Sequence, residues 1–178
     1  MGGDEPAGRR STARAAVGTA AFVVFGGPAL AAGLGPWLIT RWHVRDPFLG
    51  WVLFRWVGVV FLAVGIAVAG SAWVRFVVQG RGTPSPTAPP VELVVTGLFR
   101  FVRNPMYLGI LALVIGEGLL FGSWPVLVYA GGLWLVFHLF VILYEEPTLR
   151  RQFGPSYVAY CESVRRWIPR PRGHGVAS

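Results

Sequence analysis

The sequence has little charge, one cysteine and no lysine. Only 13% of its 178 residues are charged, and all 16 basic residues are arginine. With Cys161 as the single cysteine, neither an internal disulfide nor a cysteine-built metal site can form. His43, His138 and His174 are far apart, and no HExxH or CxxC motif occurs, so the sequence predicts no metal site.

What the sequence has in abundance is apolar surface. Apolar residues make up 54% of the chain, and its mean hydropathy is +0.56, well above the average for globular proteins. This composition predicts a membrane protein. The net charge of +8 would also suit a nucleic-acid binder. Arginines that flank long apolar runs, however, are typical of anchors that face anionic lipid head groups, and we predict no nucleic-acid partner.

Four apolar stretches approach or exceed the roughly 20 residues that a helix needs to cross a bilayer. They are residues 17–40, 48–78, 105–121 and 124–144. Only Gly122 and Ser123 connect the last two, which predicts an antiparallel helical hairpin. The first stretch follows a basic segment, as in a signal peptide, but it continues past 20 residues without a convincing cleavage site. We therefore interpret it as an uncleaved span.

The arginines predict the topology. They are concentrated before the first span, between the second and third, and after the fourth, which indicates that both termini are cytosolic. We predict an all-α membrane protein with about four transmembrane helices, a C-terminal helical hairpin and a cytosolic C-terminal helix or tail. Its segments are a cytosolic tail (1–14), two N-terminal spans (15–79), a proline-rich cytosolic linker (80–90), a core that contains the hairpin (91–169) and a final tail (170–178).

Two ionisable residues, Arg55 and Glu117, lie inside predicted spans, where they are costly unless they have partners. Counted at about 1.5 Å per residue, both lie at a similar depth near the outer end of their helices. We predict an ion pair or a shared water between them. Its distance from the arginine-rich side favours a structural role over a catalytic one.

The cytosolic end of the hairpin is rich in polar groups. The residues involved are Arg100, Arg103, Asn104, Tyr107, Tyr144, Glu145 and Glu146. His138 precedes Glu145 by seven residues, two helical turns, so both are expected on one helix face. Two carboxylates beside two arginines can hold a zwitterion, but they also suit an ordinary belt of interfacial salt bridges. The residues alone leave both interpretations open.

Two stretches, TGLFRFVRNPMYLG and LYEEPTLRRQFGPSYVAYCESVRRWIP, carry a resemblance to a known family. Together they resemble the C-terminal signature of the isoprenylcysteine carboxyl methyltransferase and phospholipid methyltransferase superfamily. The resemblance covers about residues 91–169 and implies a membrane-embedded methyltransferase core that binds S-adenosyl-L-methionine from the cytosol. It also implies a lipophilic small-molecule or lipid acceptor.

The resemblance also implies which residues form the site. Those expected to bind the cofactor are Val91, Glu92, Leu93, Val94, Phe99, Asn104, Pro105, Met106, Tyr107, Glu145, Glu146, Tyr157 and Tyr160. Arg103 matches an arginine expected near the reacting groups, and we treat Arg103, Asn104 and His138 as candidate catalytic residues. The physical basis is that the carboxylates of Glu145 and Glu146 favour a ligand that carries a sulfonium and an ammonium.

Two positions depart from the prenylcysteine pattern. Asn104 stands where that branch has histidine, and Val141 stands where it has an arginine that contacts the substrate. Three acceptors remain open: an amine-bearing phospholipid, a hydrophobic thiol and a prenylated carboxylate. A non-catalytic membrane scaffold or lipid-binding protein of the same fold is the alternative function. The arginine-, alanine-, glycine- and proline-rich composition favours a GC-rich bacterial genome and hence the inner membrane.

Overall fold

The computed structural model describes Gly27 and residues 30–80 and 93–169 of the chain. Within these ranges the chain is helical and forms no strand, apart from one isolated parallel bridge between Val102 and Arg165. The predicted all-α fold is confirmed. The predicted tails (1–14 and 170–178), most of the linker (80–90) and the first half of the first span lie outside the described residues.

The helices follow one another with short connections. Helix α1 is Gly35–Thr40, α2 is Leu53–Gly80, α3 is Pro105–Phe121, α4 is Trp124–Phe140, α5 is Glu146–Phe153 and α6 is Pro155–Ser163. A π-helical segment, Val141–Glu145, makes α4 continuous with α5. Proline in the first turn starts α3, α4, α5 and α6, where its missing N–H costs nothing. Gly122, with φ 64°, ends α3 and lets the chain reverse into α4.

Two helical segments are long and apolar enough to cross a membrane: Leu53–Arg75 and Trp124–Phe153. The apolar helices Leu30–Thr40 and Pro105–Phe121 are shorter, so the predicted number of about four spans stays a prediction. The second span starts later than expected, at Leu53 rather than Phe48. The cause is local, because Leu49 has a φ of 53° and Gly50 a φ of 73°, which interrupts the helix.

Helix α3 packs most closely against α2, through glycines spaced seven residues apart on each helix. A Cβ atom added to Gly58 would lie 2.8 Å from the carbonyl oxygen of Gly116. One added to Gly65 would lie 2.9 Å from the carbonyl oxygen of Gly109. Only residues without a side chain allow two helix backbones to approach so closely, a common device in membrane helix packing.

The predicted ion pair between Arg55 and Glu117 does not form among the described residues, and the alternative of a shared water stays a prediction. Arg55 Nη2 instead donates a hydrogen bond of 2.7 Å to the carbonyl oxygen of Arg45, and Glu117 Oε2 has no partner. Arg55 is the third residue of its late-starting helix and therefore reaches back into the preceding loop. Gly116 faces α2, so the next residue, Glu117, is rotated about 100° away from that helix.

Candidate active site

The start of α3 and the end of the α4–α5 helix converge on one pair of side chains. The hydroxyl of Tyr107 donates a hydrogen bond of 3.0 Å to Glu145 Oε2, which joins residues 38 positions apart. Tyr107 lies in the first turn of α3, just after Pro105, and its ring packs against Phe137 of α4 with centroids 4.7 Å apart. The hairpin therefore brings the two predicted polar clusters together.

Glu145 and Glu146 stand where a π-helical segment passes into α5. A π-turn places one extra residue in the helix, and such turns occur frequently at functional sites. Because of this extra residue, the spacing of seven from His138 to Glu145 does not correspond to two α-helical turns. The expectation that both side chains share a helix face therefore does not follow here.

The two glutamates have different partners. Arg166 binds Glu146 with two hydrogen bonds, from Nε to Oε1 at 2.7 Å and from Nη2 to Oε2 at 2.9 Å. Arg103 Nη1 lies 3.1 Å from the same Oε1. Glu145 forms no ion pair with any described residue, and its hydrogen-bond partner is the neutral hydroxyl of Tyr107. Both nearby arginines thus neutralise Glu146 and leave the carboxyl group of Glu145 without a cation.

Arg103 has unused hydrogen-bonding capacity. Its Nη1 contacts Glu146 and also lies 2.7 Å from the Sγ atom of Cys161. Its Nε is buried and has no partner. A buried N–H without an acceptor costs free energy, which a ligand oxygen in the right place would recover.

Two adjoining cavities lie around these groups, with volumes of about 50 and 40 Å³. Both are lined by Phe99, Arg103, Asn104 and Glu145. The larger cavity is also lined by Leu93, Val94, Val141, Glu146, Leu149, Tyr157 and Tyr160, and the smaller one by Pro105, Met106 and Tyr107. The cavities therefore combine one carboxylate that lacks a cation and one free guanidinium N–H with walls that are mostly apolar.

The chain after α6 runs beside the site, where side chains and backbone fasten it, and we call this segment the tail strap (residues 164–168). The backbone N–H of Arg103 donates to the carbonyl oxygen of Arg165 at 2.9 Å, and Asn104 Nδ2 donates to that of Arg166 at 3.3 Å. Trp167 Nε1 donates to His138 Nδ1 at 3.0 Å. The strap is thus fastened to the start of α3, to α4 and, through Arg166, to α5.

Two tyrosines of α6 complete the wall below the strap. Tyr160 donates a hydrogen bond of 2.7 Å to the carbonyl oxygen of Phe99, and Tyr157 is buried beside it. Burial raises the pKa of both hydroxyl groups above the usual value, so they stay protonated at neutral pH. The hydrogen bond to Glu146 raises the pKa of Arg166, which keeps the strap's cation charged.

The structure brings together almost every predicted site residue that it describes. The exception is His138, which lines neither cavity, stacks on Trp134 with centroids 5.1 Å apart and has its Nδ1 occupied by Trp167. The predicted cofactor residues Val91 and Glu92 lie outside the described residues.

Sequence reasoning did not single out Arg166 or Trp167. Both stand in the quoted stretch RRWIP, where Arg166 counted only as a topology signal. The available signal was an arginine next to a tryptophan after the last helix, in a chain whose two adjacent glutamates need a cation. Val141 and Leu149 are further wall residues that the structure adds.

A family model described as phospholipid methyltransferase matches residues 53–156, more than half of the chain. The match includes α2, which lies outside the residues 91–169 that carry the resemblance, and it ends before Tyr157 and the tail strap. No curated protein and no solved structure matches the chain.

Proposed function

Because the chain belongs to the phospholipid methyltransferase family, we propose that it transfers a methyl group from S-adenosylmethionine to a small lipophilic acceptor within a membrane. When bound, that cofactor supplies a methyl group attached to a positively charged sulfur. The sulfur leaves when a nucleophile takes the methyl group. The chain's own contribution is to bind the donor, orient both reactants and exclude water.

The observation that carries this proposal is the unequal pairing of the two glutamates. Glu145 offers a carboxylate without a cation to a ligand that carries a sulfonium and an ammonium, and charge-assisted hydrogen bonds to such groups are strong. Arg103 Nε offers its free N–H to the carboxylate of the same ligand. The residues present thus match the charges of the cofactor, negative against positive and positive against negative.

The apolar walls suit the remainder of the reaction. Leu93, Val94, Val141 and Leu149 line the larger cavity with apolar surface, and a site that excludes water strengthens every electrostatic interaction inside it. Each cavity has room for only a few waters, since one water needs about 10–15 Å³.

The acceptor class that we propose is an amine-bearing phospholipid, ahead of a hydrophobic thiol and a prenylated carboxylate. Val141 is 1% exposed and lines the larger cavity, and an apolar side chain there offers nothing to a substrate carboxylate. An amine nucleophile needs no such partner. The finer choice among acceptors requires a methylation assay with radiolabelled donor and a lipid extract.

We further propose that the site faces the cytosol. The arginines near it include Arg75, Arg100, Arg103, Arg150 and Arg166, whereas the loop at the other end has Arg41 and Arg45 with Asp46. This asymmetry follows the positive-inside rule, with the bacterial inner membrane as the compartment.

Calorimetric titration with S-adenosylhomocysteine in detergent tests the function. We expect the parent protein to bind and Glu145→Gln to bind at least about tenfold more weakly, since one charge-assisted contact is lost. Asp46→Asn, an exposed acid in the loop at the other end, is the matched control and should bind like the parent. A folded parent that does not bind at all contradicts the proposal and favours the non-catalytic scaffold.

A further inference from the structure

A cluster of five rings runs from Glu145 to the exposed surface of α4. This aromatic cluster consists of Tyr107, Trp134, Phe137, His138 and Trp167. Tyr107 is its inner end, because its hydroxyl is bonded to Glu145. Trp134 is its outer end, 42% exposed and flanked by the exposed side chains of Leu135 and Val136. The cluster therefore connects the proposed donor site with the apolar surface that a lipid would approach.

The rings are close enough to act as one surface. The centroids of Tyr107 and Trp167 are 6.4 Å apart, those of Trp167 and His138 6.0 Å, and those of His138 and Trp134 5.1 Å with nearly parallel planes. The faces of aromatic rings carry partial negative charge and attract ammonium groups, above all methylated ones.

No cation of the described residues covers these rings. Arg166 precedes Trp167 in the sequence, but both of its hydrogen bonds go to Glu146. The cation–π contact found in the described part of the chain, Arg41 on Trp37, involves the loop at the opposite end. The outer ring of the cluster, Trp134, is 42% exposed and is thus accessible to a cation from outside.

His138 adds a hydrogen-bond donor at the same place. Its Nδ1 accepts the N–H of Trp167, so in the neutral imidazole the proton resides on Nε2. Among the described residues, no group bonds Nε2. His138 thereby offers an N–H to an anionic oxygen.

We propose that the aromatic cluster is the subsite for the acceptor's head group, which is an amine with a phosphate close to it. The ring faces attract the nitrogen, and His138 Nε2–H donates to a phosphate oxygen. Trp167 is the positioning residue, since it supplies one ring and also fixes the tautomer of His138. This proposal rests on the proposed function and deepens it by locating the acceptor.

The cluster has a chemical advantage for amine methylation. The N–C bond forms as the C–S bond of the sulfonium breaks, and the positive charge passes from sulfur to nitrogen. Ring faces beside the nitrogen favour this charge as it develops, and they favour it more than a neutral amine. A thiol acceptor becomes a neutral thioether and would gain nothing from the rings.

Binding of short-chain lipids to the detergent-solubilised protein tests the subsite without turnover. The first probe is dihexanoyl phosphatidylcholine, which has a methylated ammonium group. The second is dihexanoyl phosphatidylglycerol, which has the same phosphate and acyl chains but no ammonium group. We expect calorimetry to give tighter binding of the choline lipid to the parent, by about tenfold. Equal affinity for the two lipids would overturn the proposal.

Three substitutions separate the two parts of the recognition. Trp134→Leu removes an exposed ring and should abolish the preference for the choline lipid, while phosphatidylglycerol binds as before. Trp167→Phe keeps a ring but removes the N–H, so it should weaken the binding of both lipids by a similar factor. Trp124→Leu, at the far end of α4 and 66% exposed, is the control and should change neither.

Each variant is also titrated with S-adenosylhomocysteine, because an intact donor site shows that the fold is kept. Unchanged lipid binding in Trp134→Leu and Trp167→Phe, with the donor site intact, would contradict the subsite. Failure of the parent to bind S-adenosylhomocysteine contradicts the proposed function instead. A parent that methylates thiols or carboxylates in the radiolabelled screen, but no amine lipid, overturns the subsite and leaves the proposed function standing.

Discussion

Arg166 holds Glu146 with two parallel hydrogen bonds of 2.7 and 2.9 Å, and this pair joins the tail strap to the start of α5. Glu146 is 8% exposed, so its carboxylate has little contact with water and depends on its partners to offset that loss. The pair has a second effect, because it draws the strap's cation away from the neighbouring Glu145. One contact therefore both fastens the tail strap and leaves Glu145 without a cation among the described residues.

Replacement of Arg166 should loosen the strap. We expect Arg166→Ala to bind S-adenosylhomocysteine more weakly and to be cleaved faster by protease within the strap, because its main anchor is lost. Arg165→Ala is the control, since its side chain is exposed and the strap uses only its backbone carbonyl. Limited proteolysis with mass spectrometry locates the cleavage. Equal cleavage of both variants would show that Arg166 is not the anchor.

Neutralising Glu145 and neutralising Glu146 should have opposite effects on the stability of the protein. Glu146→Gln leaves the partly buried Arg103 and Arg166 without a full negative charge and should cost roughly 3–5 kcal/mol of stability. Glu145→Gln removes a carboxylate that has no cation, so the melting temperature should stay the same or rise. Thermal unfolding in one detergent compares them. Equal loss of stability in both would contradict the unequal pairing.

The contact between α2 and α3 should not tolerate a side chain. In Gly116→Ala the new Cβ would lie 2.8 Å from the carbonyl oxygen of Gly58, and we expect a loss of about 1–3 kcal/mol. Gly131→Ala on α4 meets no atom within 4 Å and is the control. It should be neutral or slightly stabilising, as alanine favours helix. Urea or thermal unfolding of both variants measures the difference, and similar stabilities would refute the close packing.

Glu117→Gln should leave the folded yield unchanged. The sequence-based expectation of an ion pair with Arg55 implied a reduced yield, but Glu117 forms no ion pair with any residue that the structure describes, and Arg55 binds the carbonyl oxygen of Arg45. Removal of the charge in an apolar helix costs nothing when no cation depends on it. Size-exclusion chromatography of parent and variant gives the yield. A clear drop would point to a partner of Glu117 beyond the described residues.

Much of the site could be predicted because the chain is short and its connections are tight. A two-residue turn at Gly122 and Ser123 makes α3 and α4 antiparallel neighbours. The cluster around Tyr107, at the start of α3, therefore had to meet the cluster around Glu145, after the end of α4. The apolar composition and the arginine distribution likewise follow from the preferences of side chains for lipid or water. These features depend on local sequence, and they were accessible without coordinates.

Other features depended on irregular backbone geometry or on contacts between distant segments. The start of α2 was misplaced because Leu49 has an unusual backbone angle, and this error put Arg55 too deep. The π-segment before Glu145 shifted the helix register, which spacing alone could not reveal. Trp167 was missed because its partner, His138, lies 29 residues earlier.

The sequence by itself determined that this is a helical chain of the phospholipid methyltransferase family, apolar enough for a membrane, with two adjacent carboxylates near the end of its hairpin. Only the tertiary structure decided which carboxylate is free. Glu145 and Glu146 are adjacent and chemically identical, and they differ only because Arg103 and Arg166 converge on one of them from outside the helix. Such a difference arises from three-dimensional charge pairing, which no local pattern records.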